Sequence, residues 1–283
     1  MPQFVSDCFA WAIQRLAFDP PRFPGYREHE AEYVKTIDGL RIATLLVRPG
    51  REDLVDAGPP VRDLILYSHG NAEDIGSCRA RCQWLADGLD CDVLVYDYVN
   101  YGHSSASTMT EERMYAAILA VYEYASRQPA HASRRLFIMG RSLGTTASTR
   151  LARVLSDQSQ PDGARLFCGL ILELPLASGF RVLCDGERLP ATVAAALDRV
   201  FCPLILDIPL VTQPVFVIHG QQDLVINISN ARLIQEHVRP LSSYPPLFVD
   251  AGHNDVEECA GTLLLRGIRR FQAFCQTGCA VPP

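Results

Sequence analysis

The chain has 283 residues, of which 48% are hydrophobic, so it is long enough to build one large domain around a sizeable core. Its net charge of −6 argues against a surface that binds nucleic acid, because such a surface would be basic. The sequence contains no run of about 18 or more apolar residues, which excludes a predicted membrane-spanning helix.

The chain contains ten cysteines, and its first residues lack the basic and apolar regions of a secretory signal. We therefore expect a cytoplasmic protein whose reduced thiols serve mostly as small buried hydrophobic groups. Cys78 and Cys82 lie one helical turn apart, but no second pair has the spacing of metal ligands. We expect neither a metal site nor a cofactor. Whether Cys8, Cys275 or Cys279 carries a lipid is left open.

The N-terminal residues have an amphipathic pattern. Residues 8–18 can form a helix whose apolar face contains aromatic side chains, and we separate residues 1–20 from a single domain at 21–283. That face could lie on a membrane surface, giving peripheral attachment, or it could dock on the domain itself. Periodicity does not distinguish lipid from protein core, so both alternatives stay open.

Strands and helices then alternate, which predicts a mostly parallel sheet flanked by helices. A hairpin is predicted around Asp38-Gly39, and the loop after residue 173 interrupts the alternation. We expect residues 175–213 to form a short lid insertion over a shallow, partly open site. Strands are predicted at 31–37, 40–48, 63–68, 92–96, 135–139, 169–173, 214–218 and 246–250. Helices are predicted from near the N-cap Asp74, and at 109–127 with Thr108 and Glu111 as a capping box, 143–156, 191–200, 228–239 and 255–275.

The most specific signal lies at residues 135–146. An apolar strand ends in Gly-Arg-Ser-Leu-Gly, and small helix-compatible residues follow, which is the strand–turn–helix context of a nucleophile elbow. Gly140 and Gly144 leave room for a turn in which larger side chains would collide. Ser142 is then expected in a strained backbone state with its hydroxyl exposed.

The partners of a catalytic serine follow in the expected chain order. Asp223 comes after the strand at 214–218, and His253 comes after the strand at 246–250. A serine hydroxyl needs an imidazole to take its proton, and a carboxylate fixes the tautomer of that imidazole. We therefore predict a triad of Ser142, Asp223 and His253. Glu173, at the end of another strand, stays an alternative acid.

Backbone donors for an oxyanion are predicted from two loops. The strand at 63–68 runs into His69-Gly70-Asn71, and we assign one N–H to Asn71 and the other to Leu143, the residue after the nucleophile. The agreement of these signals predicts an α/β-hydrolase fold, with about eight strands in its central sheet. His69 and His219 are interpreted as structural loop residues, and Arg141 as a member of a structural ion pair. Substrate contacts are predicted at His103, Leu176, Leu183 and Phe201.

Several longer strings resemble the α/β-hydrolase-domain-containing 17 family, over about residues 13–275. They are more specific than the elbow itself. They are Ser-His-Gly-Asn-Ala-Glu-Asp-Ile-Gly at 68–76, Tyr-Asp-Tyr at 96–98 followed by Tyr101-Gly102, Pro-Leu-Ala-Ser-Gly-Phe-Arg-Val at 175–182, Val-Ile-His-Gly-Gln-Gln-Asp at 217–223 and Ala-Gly-His-Asn-Asp at 251–255.

The resemblance implies a serine hydrolase that removes palmitate from cysteine thioesters of membrane-associated proteins, through the same three residues. The partner would be an S-acylated protein or another acyl ester. The family's palmitoylated N-terminal cysteine cluster is reduced here to Cys8, and one acyl chain anchors a protein weakly. The alternatives are a small-molecule carboxylesterase or lipid hydrolase, and a binding protein with an inactive triad. A peptidase is less favoured.

Overall fold

The computed structural model describes residues 18–50, 61–128, 134–158, 166–183 and 190–276. These residues form an eight-stranded sheet flanked by helices, as the sequence predicts. The strands are β1 (Glu32–Lys35), β2 (Arg41–Val47), β3 (Leu64–Ser68), β4 (Asp92–Tyr96), β5 (Leu136–Arg141), β6 (Gly169–Glu173), β7 (Val215–Gly220) and β8 (Leu247–Val249). Their spatial order is β1-β2-β4-β3-β5-β6-β7-β8.

Eight α-helices connect or cover these strands within the described ranges. They are α1 (Arg79–Leu89), α2 (Glu111–Arg127), α3 (Gly144–Ser156), α4 (Gly179–Leu183), α5 (Ala191–Leu197), α6 (Leu204–Asp207), α7 (Ser229–His237) and α8 (Val256–Gln276). Short 3₁₀ turns lie at Glu28–Glu30, Ile208–Leu210 and Pro240–Ser242. Among these helices, none combines the length and apolar composition needed to cross a membrane.

The central strands are parallel and buried on both faces. β1 and β2 form the predicted antiparallel hairpin, β2 also pairs antiparallel with β4, and β3 to β8 run parallel to one another. In β4, Leu94 and Tyr96 face one core, whereas Val93 and Val95 face the other, because successive strand side chains alternate. Since both faces are covered, these strands appear in the sequence as continuous apolar runs. The ends of β3, β5, β7 and β8 therefore meet at one edge.

Two predicted helix starts were wrong. α1 begins at Arg79 rather than near Asp74, whose carboxylate instead accepts hydrogen bonds from the N–H groups of Gly25 (2.6 Å) and Ser77 (2.7 Å). The sequence around Asp74 does not indicate this contact, because Gly25 is distant in the chain. The N-cap of α2 is Thr110 rather than Thr108. Its hydroxyl accepts from the Arg113 N–H at 3.3 Å.

The described part of the insertion at 175–213 packs on α3, the helix that follows the elbow. Asp207, at the end of α6, is buried and pairs with Arg150 (3.0 Å) and Arg153 (2.6 Å) of α3. Phe18, the last residue of the predicted amphipathic segment, packs edge-on against Phe201, with ring centroids 5.6 Å apart. Residues 1–17 lie outside the described residues, so the segment and the division into 1–20 and 21–283 stay predictions.

Replacement of Phe271 should strongly lower stability. Its buried ring on α8 lies 5.1 Å from the ring centroid of Tyr244 and 5.4 Å from that of Phe216. We expect Phe271→Ala to lower the free energy of unfolding by about 3–5 kcal/mol, because it leaves a cavity. Phe274→Ala, on the half-exposed side of the same helix, is the matched control. Equal losses for both variants in urea unfolding would contradict this packing.

Candidate active site

Ser142 occupies the turn between β5 and α3 with φ of +52°, in the left-handed region that non-glycine residues rarely adopt. Its N–H donates to the carbonyl of Glu173 at 2.9 Å, and its carbonyl accepts from the N–H of Thr145 at 2.9 Å. A Cβ at Gly140 would collide with the carbonyl oxygen of Gly144. The predicted elbow and its strained serine are therefore present.

Asp223 and His253 contact each other across the loops after β7 and β8. The His253 Nδ1 atom lies 2.7 Å from Asp223 Oδ2. The other Asp223 oxygen accepts the N–H groups of Val225 and Ile226, both at 2.8 Å. Burial raises the pKa of Asp223, but the His253 hydrogen bond and these N–H donors outweigh it and hold the pKa below its ordinary value. Asp223 is thus ionised at neutral pH, which places the imidazole proton on Nδ1 and leaves Nε2 as an acceptor.

The alternative acid, Glu173, has a different partner. Its fully buried carboxylate forms an ion pair with Arg81 of α1, whose side chain is also buried. Of the two carboxylates that the sequence left open, the structure places Asp223 against the imidazole. Glu173 contributes its backbone carbonyl to the elbow instead.

The start of α3 lies directly against the end of β3. A Cβ at Gly144 would collide with the carbonyl oxygens of Ser68 and His69, so only glycine allows this approach. Leu143 is the N-cap of α3, a position whose N–H has no acceptor within the helix. The contact brings the Leu143 backbone next to the loop that contains Asn71, the other predicted donor.

The Asn71 loop is held by hydrogen bonds from three directions. Asn71 Oδ1 accepts from the Tyr101 hydroxyl at 2.6 Å and from the Asp19 N–H at 3.0 Å. The carbonyl of His69 accepts from the Tyr98 hydroxyl at 2.6 Å. Glu73 Oε2 accepts from the Gly70 N–H at 2.6 Å. Both N–H donors predicted for an oxyanion thus come from restrained backbone.

The two loop histidines are structural, as predicted. His69 Nδ1 donates to the carbonyl of Gly70 at 2.7 Å, and Nε2 lies 3.5 Å from Asp97 Oδ1. Burial lowers the pKa of His69, but the Asp97 carboxylate outweighs it and raises the pKa to about 9. His219 Nε2 contacts the carbonyl of Ile226 at 2.8 Å, and burial lowers the pKa of His219.

The four predicted substrate contacts do not share one environment. His103 is occupied by Tyr26, since its N–H donates to the tyrosine hydroxyl at 2.8 Å and its Nε2 lies 3.0 Å from the tyrosine carbonyl. Leu176 and Phe201 are buried in the core on the α3 side of the sheet. Leu183 is 77% exposed at the end of α4. Of the four, only Leu183 offers a largely free apolar surface.

Two residues that lie close in the chain to predicted site residues line a cavity. Arg141 and Glu73 line a cavity of about 440 Å³ beside the His253 loop, together with Ser77, Cys78, Ala80, Arg81, Trp84, Asn254 and Glu257. Glu73 was missed, although a carboxylate three residues after a loop glycine is a sequence signal for a bond to that glycine's N–H. In the part of the chain that the structure describes, no three His, Cys, Asp or Glu side chains are arranged to hold a metal.

Curated proteins similar to this chain include several α/β hydrolase domain-containing proteins. The chain is 34% identical over 232 residues to human α/β hydrolase domain-containing protein 17B, covering 81% of this chain and 70% of the relative. It is 35% identical over 266 residues to the α/β hydrolase domain-containing protein aho-3 of Caenorhabditis elegans, covering 87% and 73%. No family model matches the chain.

Solved structures support the fold. An esterase of Pyrococcus furiosus, Pf2001, superimposes with a TM-score of 0.65 at 16% identity, covering 90% of this chain and 98% of that one. Mouse α/β hydrolase domain-containing protein 10 gives a TM-score of 0.62 at 14% identity, with coverage of 86% and 98%. With the sheet order, the elbow and the relatives in agreement, the chain belongs to the α/β-hydrolase-domain-containing 17 family and is an α/β hydrolase.

Proposed function

We propose that the chain is a serine hydrolase that cleaves long-chain acyl thioesters and removes palmitate from S-acylated proteins. The observation that carries this proposal is the Asp223–His253 pair at the same sheet edge as the strained Ser142. Membership in the 17 family supports the acyl thioester as substrate, and the likeness to esterases supports an acyl-transfer fold. No cofactor takes part.

The proposed reaction proceeds in two halves. His253 Nε2 takes the proton as Ser142 Oγ attacks the acyl carbonyl, and the N–H groups of Asn71 and Leu143 bind the resulting oxyanion. The C–S bond breaks, the cysteine leaves as a thiol with the proton from His253, and an acyl-enzyme remains. Water activated by His253 then releases the fatty acid. The described residues show no hydrogen bond between Ser142 and His253, and such bonds often tighten only when substrate binds.

A small-molecule carboxylesterase is the second candidate. It uses the same three residues, because the same attack cleaves oxygen esters and thioesters. The observation that favours it is the fold likeness to esterases, one of which, Est1E from Butyrivibrio proteoclasticus, was solved with ferulic acid bound. The two candidates differ in the leaving group and the acyl chain, so a substrate comparison separates them.

We also propose a cytoplasmic location with peripheral membrane contact. Exposed apolar side chains support this proposal: Leu183 lies in the insertion, and Leu224, which is 97% exposed, directly follows Asp223. The N-terminal segment that would contribute most of the contact lies outside the described residues. Cys275 is buried in α8, so its thiol is not accessible for lipidation.

The substrate comparison is the first test. Purified protein should hydrolyse a palmitoyl-cysteine peptide faster than a short-chain ester of matched solubility, and Ser142→Ala should abolish both activities without lowering the melting temperature. A fluorophosphonate probe should label the wild type and not this variant. Preference for the short ester would support the carboxylesterase, and a folded protein inert to the probe would support a non-catalytic role.

A second test separates the two carboxylates. Asp223→Asn should lower kcat by about 10³–10⁴-fold, because the imidazole loses the acceptor that fixes its tautomer. Glu173→Gln should keep kcat within about tenfold of the wild type, since its carboxylate pairs with Arg81, although the loss of this buried ion pair should lower stability. The reverse order of kcat losses would assign the acid to Glu173.

A further inference from the structure

The candidate site consists of two halves that are held together internally. In the elbow half, residues 68–73 and 140–145, the start of α3 packs against the end of β3. In the acid–histidine half, residues 220–226 and 249–255, the N–H groups of Gln221 and Gln222 donate to the carbonyls of Val249 (2.8 Å) and Ala251 (3.0 Å). The proposed reaction needs atoms from both halves in one geometry, so a contact between the halves matters for catalysis.

Arg141 makes such a contact. It precedes Ser142 in the elbow, and its Nη2 atom donates to the carbonyl of His253 at 2.9 Å. The same Nη2 atom lies 3.5 Å from Oδ1 of Asn254. The side chain is only 12% exposed, so solvent competes weakly for these bonds. Arg141 therefore links the backbone of the proposed nucleophile to the backbone of the proposed base.

The other end of the guanidinium reaches the predicted oxyanion loop. Its Nη1 atom lies 3.5 Å from Oε1 of Glu73. The second oxygen of Glu73 accepts the N–H of Gly70, the residue before Asn71. A planar guanidinium can serve several acceptors in fixed directions, which a lysine ammonium on a single stem does less well. One side chain thus connects the loops that carry Asn71, Ser142 and His253.

We propose that Arg141 is a positioning residue that sets His253 relative to Ser142 and steadies the oxyanion loop through Glu73. This inference rests on the proposed function. The contacts of Arg141 support it, because its polar partners, His253, Asn254 and Glu73, are all in loops at the site. A purely structural ion pair would instead resemble Arg153–Asp207, which joins α3 to the insertion.

The test compares two substitutions of Arg141 with a matched control. Arg141→Met removes every side-chain N–H donor, whereas Arg141→Lys keeps the charge but has only one terminal nitrogen with which to reach an acceptor. The control, Arg153→Met, removes an arginine of α3 whose partner, Asp207, retains Arg150. The measurements are kcat and KM on the palmitoyl-cysteine peptide, the rate of fluorophosphonate labelling, and the melting temperature. These readouts separate positioning from stability.

We expect Arg141→Met to lower kcat and the labelling rate by about 100-fold with KM within about twofold, because displacement of a base by about 1 Å has an effect of this size. Arg141→Lys should recover about tenfold of this loss. Arg153→Met should keep the wild-type kcat, although its melting temperature should be equal to or lower than that of Arg141→Met. If Arg141→Met does not fold, Arg141→Lys tests the positioning role instead, and we expect its kcat to be about tenfold below that of the wild type at unchanged KM.

Two results would overturn the inference in different ways. In the first, the wild-type protein shows Ser142-dependent labelling and turnover, and both Arg141 variants have the kcat of the wild type. This result would overturn the positioning role and leave the proposed function intact. Folded wild-type protein with neither labelling nor turnover would overturn the proposed function, and the role of Arg141 with it.

Discussion

The positive φ of Ser142 is the constraint on which the candidate site depends. A non-glycine residue in this region costs of the order of 1–3 kcal/mol, so the surroundings must hold it there. The hydrogen bond to the Glu173 carbonyl attaches the turn to β6, and the Thr145 N–H attaches it to α3. Because both elements belong to the core, the position of the serine follows from the packing of the whole sheet.

The buried charges at this sheet edge are arranged in pairs. Asp223 contacts His253, Asp97 contacts His69, and Glu173 contacts Arg81, while the partly exposed Glu73 contacts Arg141. A buried carboxylate without a partner would be costly and would take up a proton. The pairing gives each of these carboxylates a basic partner, and it distinguishes the two candidate acids, since Asp223 contacts His253 whereas Glu173 contacts Arg81.

The sequence predicted those features that depend on short-range pattern. Apolar runs predicted the strands, and the elbow, Asp223 and His253 were predicted as site residues because each follows a strand in a fixed order. The start of α1 was not predicted correctly, because Asp74 forms a hydrogen bond with Gly25, and a contact across 49 residues leaves no local sequence pattern. Arg141 was expected in an ion pair, but its bond to the His253 carbonyl depends on the approach of two distant loops, which only the fold reveals.

The question of substrate lies outside the triad. In the proposed reaction Ser142 can attack any accessible acyl carbonyl, so preference for a long chain must come from apolar surface near the three residues. Leu176 and Phe201 were predicted for this purpose, but their side chains are used in core packing, since Phe201 fits against Gly179 and the ring of Phe18. The apolar side chains that remain accessible, such as Leu183 and Leu224, lie on the insertion and on the loop that supplies Asp223. An acyl chain bound there would lie along the outer surface, and if the substrate is bound to a membrane, as proposed, that surface is accessible from the lipid.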